Sequence, residues 1–481
     1  MELVRKHPWI FILSLLFIGV NGIFIFKDNY FLNALPFALI IMYLALFHLK
    51  TTFLLLVFLT PLSINLEEFT EGKIGLFLPT EPILFGLLLL LLMRQLYKPF
   101  IPKGTWSHPI TLSLLFYLFW VFFTSITSTD PVVSFKFLLM KSWFIFPIIF
   151  IGSYVFENKN NITKFLWLFS VSMTIMILYT LIRHAGYSFG EKEGHWVMEP
   201  FFKDHTIYGS IVAINVFFIL GLYRGKHNSP LTHITLLGML IITLVGLYFS
   251  YTRGAWLSVV VALIVWILIH YKVKFKYLFI TGVTALLIIA VNWNAIQFAL
   301  AKNRSEHTTE EFDERLKSAT NVTSDASNLE RLNRWTAAWR MFKEKPIVGF
   351  GPGTYAFEYA PYQDPEKLTI ISTNLGDAGN AHSEYLGPLA EMGFIGFLSI
   401  IIFVSALFYK GITLYIKYPK EASEIRTLIL FMILAMVTYF FHGLLNNYLD
   451  TDKAAIPVYG VCAMIIALER NYQKKYLSTK N

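Results

Sequence analysis

The chain has 481 residues, of which 56% are hydrophobic, 17% aromatic and only 15% charged. A soluble globular domain carries about 25% charged residues, so this composition excludes one, and the apolar runs are too continuous for the alternating strands of a membrane barrel. The net charge of +9 reads as membrane orientation rather than affinity for nucleic acid, and a single cysteine, Cys462, leaves no disulfide within the chain.

The expected fold class is therefore an all-α polytopic integral membrane protein. Arg5-Lys6 followed by an apolar run to Phe26 has the outline of a secretory leader. No small-residue cleavage site follows it, so it is read as an uncleaved first span at 8–26. Further apolar segments lie at 31–49, 52–66, 78–97, 109–126, 137–155, 163–182, 206–223, 231–250, 255–271 and 276–292, then at 386–409, 426–446 and 454–469. At ~20 residues per span this gives about 12–14 transmembrane helices. The segments at 52–66, short and holding Pro61, and at 454–469, holding Pro457 and Gly460, read as tilted or re-entrant. Three regions follow: a bundle of about 11 spans over 1–292, a large polar loop over 293–385, and C-terminal spans with a tail over 386–481.

Orientation comes from the short loops. With the N-terminus inside, Arg5, Lys6, Lys50, Arg94, Lys98, Arg224, Lys272, Lys417 and the tail cations Arg470 and Lys474 all fall on the inner side. An even span count keeps both termini inside. The stretch 293–385 then lies outside, together with Arg253, the loop 184–205 and the loop 446–453. Asp and Glu are sparse within the spans, so no relay of buried carboxylates is expected.

Four stretches on that outer face are candidates for chemistry. In Tyr251-Thr252-Arg253-Gly254-Ala255-Trp256 the arginine sits where one helix ends and the next begins. It is either an interfacial anchor reaching water or a fixed cation for a phosphate, which a planar guanidinium binds bidentately. In Glu330-Arg331-Leu332-Asn333-Arg334-Trp335, apolar Leu329, Leu332, Trp335, Trp339 and Phe342 predict an amphipathic helix laid on the membrane or the bundle. Arg331 and Trp335 are four apart and share a face of it. The glycines of Pro346-Ile347-Val348-Gly349-Phe350-Gly351-Pro352-Gly353 predict a structural turn. His382, in Ala381-His382-Ser383-Glu384-Tyr385, is either structural or a base for an attacking hydroxyl, with Glu384 and Asp377 as candidate orienting partners. The loop Glu193-Gly194-His195-Trp196 with Phe202-Lys203-Asp204-His205-Thr206-Ile207-Tyr208-Gly209 is a weaker signal: its aromatic residues suit interfacial anchoring more readily than stacking on sugar or lipid. Asp450-Thr451-Asp452 is a common triplet that holds a metal only occasionally, and no cysteine–histidine cluster of zinc type is present.

Together these stretches resemble the O-antigen ligase and polymerase superfamily of bacterial envelope enzymes. The resemblance rests on Tyr251-Thr252-Arg253-Gly254-Ala255-Trp256, Arg331 with Trp335, the glycine turn 346–353, His382-Ser383-Glu384-Tyr385 and Gly393-Phe394-Ile395-Gly396, with Ser128-Thr129-Asp130-Pro131 upstream. It implies a multi-pass protein of the bacterial inner membrane with a large periplasmic loop and both termini cytoplasmic. It implies transfer of a glycan from undecaprenyl pyrophosphate to an acceptor hydroxyl, lipid A-core in ligases, by direct inverting attack. Polymerases extend another glycan and related oligosaccharyltransferases modify a protein hydroxyl. The resemblance gives pyrophosphate binding to Arg253 and Arg331 and acceptor activation to His382. Arg334, Glu384 and Trp335 are candidate supporting residues. No cofactor, metal or nucleotide is expected, which disfavours Asp450 and Asp452 as ligands. At Asp204-His205-Thr206 the chain departs from the family, which more often has asparagine near there. A transporter of lipid-linked glycan is the competing class, but no internal repeat supports it.

Overall fold

A computed structural model describes residues 8–70, 75–225, 229–273, 284, 291–292, 326–365, 368 and 379–476. The chain forms two compact units, Met1–Leu56 and Val57–Asn481. The first holds α1 (Pro8–Phe26) and α2 (Ala34–Phe47), neither of which buries a residue. Asn21 Nδ2 donates to Asn33 Oδ1 at 2.7 Å, one amide hydrogen bond between otherwise apolar segments. α3 (Leu49–Leu59) closes in a 3₁₀ turn at Pro61.

The second unit is a helical bundle. Its helices are α4 (Thr80–Tyr97), α5 (Pro109–Ile126), α6 (Pro131–Phe146, continued by a π turn Pro147–Ile151 to Val155), α7 (Asn160–Ala185), α8 (His205–Tyr223), α9 (Pro230–Tyr248) and α10 (Arg253–His270). After them come α11 (Ala326–Glu344), α12 (Leu386–Lys417), α13 (Ser423–His442) and α14 (Asp452–Tyr476). Among the described residues, 10 helices are long and apolar enough to cross a membrane. The only strands described are two residues each, Ile64–Asn65 paired antiparallel with Phe77–Leu78. The chain is thus an all-α polytopic membrane protein. The expected span at 276–292 falls almost wholly outside the described residues, as does all of 293–325. The segments at 31–49 and 52–66 form helices of 14 and 11 residues, short of a full crossing.

Two elements depart from the sequence-based expectation. The segment at 454–469 is part of α14, a continuous 25-residue helix and one of the most buried in the bundle. Gly460 there is a packing device, since a Cβ would stand 2.6 Å from the Phe165 ring. In α11, Trp339 is 48% exposed, whereas Glu330, Asn333, Arg334, Ala337, Ala338 and Met341 are buried. The buried face is set by the small alanines, which let the helix lie close to Phe350, Tyr355, Tyr359 and Ala381. The charged pair is buried with them because Arg334 Nε donates to Glu330 Oε1 at 2.7 Å, one turn away.

The loops sort to two ends of the bundle. At one, Glu469 meets His108 and Lys410, each at 2.8 Å, and Arg470 meets Glu157 at 2.9 Å. At the other, loops 127–134, 184–205, 249–253, 346–355, 379–386 and 443–453 interlock. Thr129 N and Oγ1 donate to Phe350 O at 2.8 and 2.9 Å, and Tyr251 Oη donates to Phe189 O at 2.6 Å. Glu384 N donates to Gly443 O at 2.8 Å. That second end carries the candidate residues.

Candidate active site

The glycine turn and the start of α12 build the frame. α12 is broken at Gly393, whose φ of 67° and ψ of −166° are non-helical. Gly349 also has positive φ, at 66°. The two backbones cross here: Phe394 N donates to Pro346 O at 2.9 Å, and Gly351 N donates to Glu391 O at 2.8 Å. A Cβ on Gly393 would collide with the carbonyls of Ile347 and Pro346, and one on Gly349 with the backbone of Glu391. The predicted turn is therefore a dock that fixes the first turns of α12, and with them the segment 380–385.

His382 sits at the tip of that segment in the left-handed region, φ 46°, where a side chain other than glycine costs about 1–3 kcal/mol unless neighbours hold it. They do: its N–H donates to Asn380 Oδ1 at 3.0 Å, and Trp335 Nε1 donates to its carbonyl at 3.4 Å. Arg334 Nη1 donates to Asn380 O at 3.3 Å, while its guanidinium lies 4.9 Å from the centre of the Tyr359 ring. Arg334 and Trp335 thus shape the backbone that presents His382.

The imidazole is oriented by residues that the sequence did not single out. His382 Nδ1 faces Asn446 Oδ1 at 3.4 Å, and Asn446 Nδ2 donates to His442 Nε2 at 3.0 Å. An amide oxygen can only accept, so His382 carries its proton on Nδ1 and turns the lone pair of Nε2 outward. Burial first, then the charges of Arg334 and Arg331, push the His382 pKa down to about 4. The ring is therefore neutral near pH 7, with a nitrogen free to accept a proton but of reduced basicity while those charges stand uncompensated.

Glu384 does different work from the expected one. It makes no hydrogen bond to His382 among the described residues. Its Oε1 accepts from Tyr439 Oη, Tyr448 N and Leu449 N at 2.6, 2.7 and 2.9 Å, pinning the loop that carries Asn446. Burial raises its pKa. Asp377, the other proposed partner, lies outside the described residues.

Arg253 heads α10 after Tyr251, itself at φ 50°. Its neighbour Gly254 packs on the same histidine that Asn446 contacts: a Cβ would come 3.3 Å from His442 Nε2. Thr252 Oγ1 donates to His205 O at 2.8 Å, and the His205 ring stacks on His195 with centroids 4.1 Å apart. The guanidinium of Arg331 acts electrostatically on His382, His442 and His205. Asp204 caps α8 by accepting from Thr206 N and Ile207 N at 2.7 and 3.0 Å. The charge of Arg331 thus reaches His382, His442 and His205, and the backbone next to Arg253 packs on His442. The only sequence signal for His442 and Asn446 was a polar cluster at the end of an apolar run.

The acidic triplet divides. Asp452 is fully buried and its Oδ2 accepts from Ser63 Oγ and Thr80 Oγ1 at 2.5 and 2.6 Å, a structural use. Among the described residues no group of three or more His, Cys, Asp or Glu is placed to hold a metal.

No curated protein matches the chain. Residues 238–401 match the family model described as O-Antigen ligase (Wzy_C), a stretch that contains Arg253, Arg331, the glycine turn, His382 and the break at Gly393. That match, over about a third of the chain, supports the O-antigen ligase superfamily.

Proposed function

We propose that the protein is a glycan transferase that uses undecaprenyl-pyrophosphate-linked glycan as donor and an acceptor hydroxyl, lipid A-core or a similar glycan, at the periplasmic face of a bacterial inner membrane. The observation that carries this reading is the relay His442–Asn446–His382, which leaves one imidazole nitrogen basic and unprotonated beside Arg331, with Arg253 at the adjoining helix start. His382 Nε2 takes the proton of the acceptor hydroxyl as its oxygen bonds to the anomeric carbon. The bond from that carbon to the phosphate oxygen breaks, and undecaprenyl pyrophosphate leaves with the electron pair. The direct displacement inverts the anomeric centre.

Arg253 and Arg331 meet the charge that gathers on the departing pyrophosphate. A hydrogen bond to a charged group is worth about 1.5–3 kcal/mol, so two that act in the transition state supply about 10²–10⁴-fold in rate. An anionic donor beside His382 also offsets the arginine charges that depress its basicity, so donor binding switches the base on. No metal is needed for this charge balance, and Asp452 is committed elsewhere.

The test is transfer by purified protein from a lipid-linked donor to an acceptor glycan without an ion gradient. Arg253→Ala and Arg331→Ala should each lose at least about 10–100-fold, and His382→Ala about 10²–10⁴-fold, with normal membrane insertion. Arg253→Lys should be impaired, because an ammonium cannot bind bidentately. Undiminished transfer by all three alanine variants would sink the proposal. A single added chain marks a ligase and a ladder of lengths a polymerase.

A further inference from the structure

Behind His382 the bundle encloses a cavity that the transfer chemistry above does not use. Ala381 and Ser383, the residues on either side of His382, form part of its wall together with Asn380 and Glu384. α5, α6 and α14 contribute Tyr117, Lys141 and Tyr459, and the loop after α13 contributes Asn447. The apolar floor includes Leu114, Ile400 and Phe403.

Four polar groups on this wall make no hydrogen bond within the protein among the described residues. Lys141 is 5% exposed and its charge acts on Glu384 and Glu391, yet its ammonium makes no hydrogen bond or close ion pair there and lies 5.1 Å from the centre of the Phe137 ring. Tyr117 and Tyr459, 5% and 2% exposed, make no hydrogen bond through their hydroxyls among the described residues. Asn447 Oδ1 is buried with no partner. Leaving an ammonium so placed without an acceptor is costly, and each neutral group adds about 1–3 kcal/mol. A cavity with this wall takes a guest that both accepts and donates.

The charges narrow the guest. Two carboxyl groups, Glu384 and Glu391, line the cavity and oppose an anion. Lys141 opposes a cation. A neutral polyol satisfies all of them: its hydroxyl oxygens accept from Lys141 and from the tyrosines, and its hydroxyl hydrogens donate to Asn447 Oδ1 and to the carboxyl groups. The rings of Tyr117, Tyr459 and Phe403 offer apolar surface to the C–H face of a pyranose.

We infer that this cavity is a subsite for a neutral, hydroxyl-rich sugar ring, with Lys141 and Asn447 as its specificity-determining residues. The inference rests on the transferase reading for its biological setting, because Ala381 and Ser383, which flank the proposed base, form part of the wall. It assigns the sugar that enters this subsite to the uncharged class, excluding a uronic acid or a phosphorylated sugar at that position.

The test is saturation-transfer NMR on the full chain in detergent, with methyl α-glucoside and methyl β-N-acetylglucosaminide as neutral probes and methyl glucuronide as the charged one. Wild type should bind a neutral probe at least tenfold more tightly than the glucuronide. Lys141→Met and Asn447→Leu should each weaken the neutral probe at least tenfold. Asn447→Leu removes an oxygen that has no partner, so it keeps the test decisive where Lys141→Met fails to fold. Arg253→Ala should bind the neutral probe as wild type does. Three results overturn the inference: no neutral probe binding to wild type, as for a cavity holding only water; equal binding in folded Asn447→Leu; or preference for the glucuronide. Each is separable from the transferase reading, which is judged by transfer in the Arg253, Arg331 and His382 variants.

Discussion

His382 is held in an unfavourable backbone conformation, and its ring is fixed by one amide, so its competence depends on Asn446 more than on any carboxylate. Removing that amide frees the ring to rotate and to adopt the other tautomer, which moves the basic nitrogen away from the acceptor. Asn446→Ala should therefore lower kcat by about 10–100-fold while KM for the donor changes little, since Asn446 is a positioning residue behind the ring. Asn446→Asp keeps an acceptor oxygen and should recover much of the rate. Unchanged kcat in Asn446→Ala would remove the relay from the mechanism. The pH profile gives a second check. The free ring titrates near 4, held down by burial and by Arg334 and Arg331, so it is neutral above that pH and loses its basicity only as pH falls through it. The acid limb of kcat/KM should lie about two units below the ordinary histidine value of ~6.5, and the limb of kcat should lie higher, because bound diphosphate stabilises the imidazolium. Coincident limbs near ~6.5 would contradict this.

The residues legible from sequence were those whose chemistry is out of place where they stand. An arginine at a helix junction, an arginine beside a tryptophan on an amphipathic helix and a histidine at a loop exit each stood out without a fold. His442, Asn446 and Lys141 did not, because their roles exist only once helices are packed. Lys141 reads as one cation inside an apolar segment, and what makes it unusual is that it faces the carboxyls of Glu384 and Glu391 across the cavity without hydrogen-bonding to either. Glu384 was legible as important and misread in role, since nothing in the sequence says which loop its carboxylate reaches.

At the scale of elements, the break in α12 connects the glycine turn to the site. The helix turn before Gly393 carries Glu391, whose Oε1 accepts from Tyr355 N at 3.0 Å, and the same turn receives the donors of Phe350 and Gly351. Gly393→Ala places a methyl group against the carbonyls of Pro346 and Ile347 at a φ of 67°. Such a change costs about 1–3 kcal/mol or more and should lower the melting temperature measured in detergent. Transfer should fall further than the folded fraction does, because segment 380–385 hangs on that turn. A melting temperature equal to wild type would show that the backbone crossing is slack. The helix α11 teaches a related lesson. Its large apolar residues marked it as amphipathic, but the buried face was chosen by Ala337 and Ala338 and by a charge pair that satisfies itself, features that a hydrophobic periodicity underweights.

For the whole molecule, hydropathy located nearly every described helix, because backbone groups in lipid leave a chain few alternatives. It was weakest at α14, where Pro457 and Gly460 looked like interruptions although the helix runs unbroken through the bundle. Gly460 serves close packing, a property of its neighbour Phe165, which lies hundreds of positions away. The distribution of cations predicts which end faces the cytoplasm, and the chain offers a clean way to measure it. Its one cysteine, Cys462, is buried. Lys203 lies on a site-end loop with a 64% exposed side chain, and Lys474 near the opposite end with one 70% exposed. In intact cells, Lys203→Cys should react with a membrane-impermeant maleimide and Lys474→Cys should not, while both should react after the membrane is opened. Wild type should stay unlabelled in either case. Labelling of Lys474→Cys alone in intact cells would invert the topology and put the site on the cytoplasmic face, where a nucleotide-activated sugar rather than a lipid-linked one would be the natural donor.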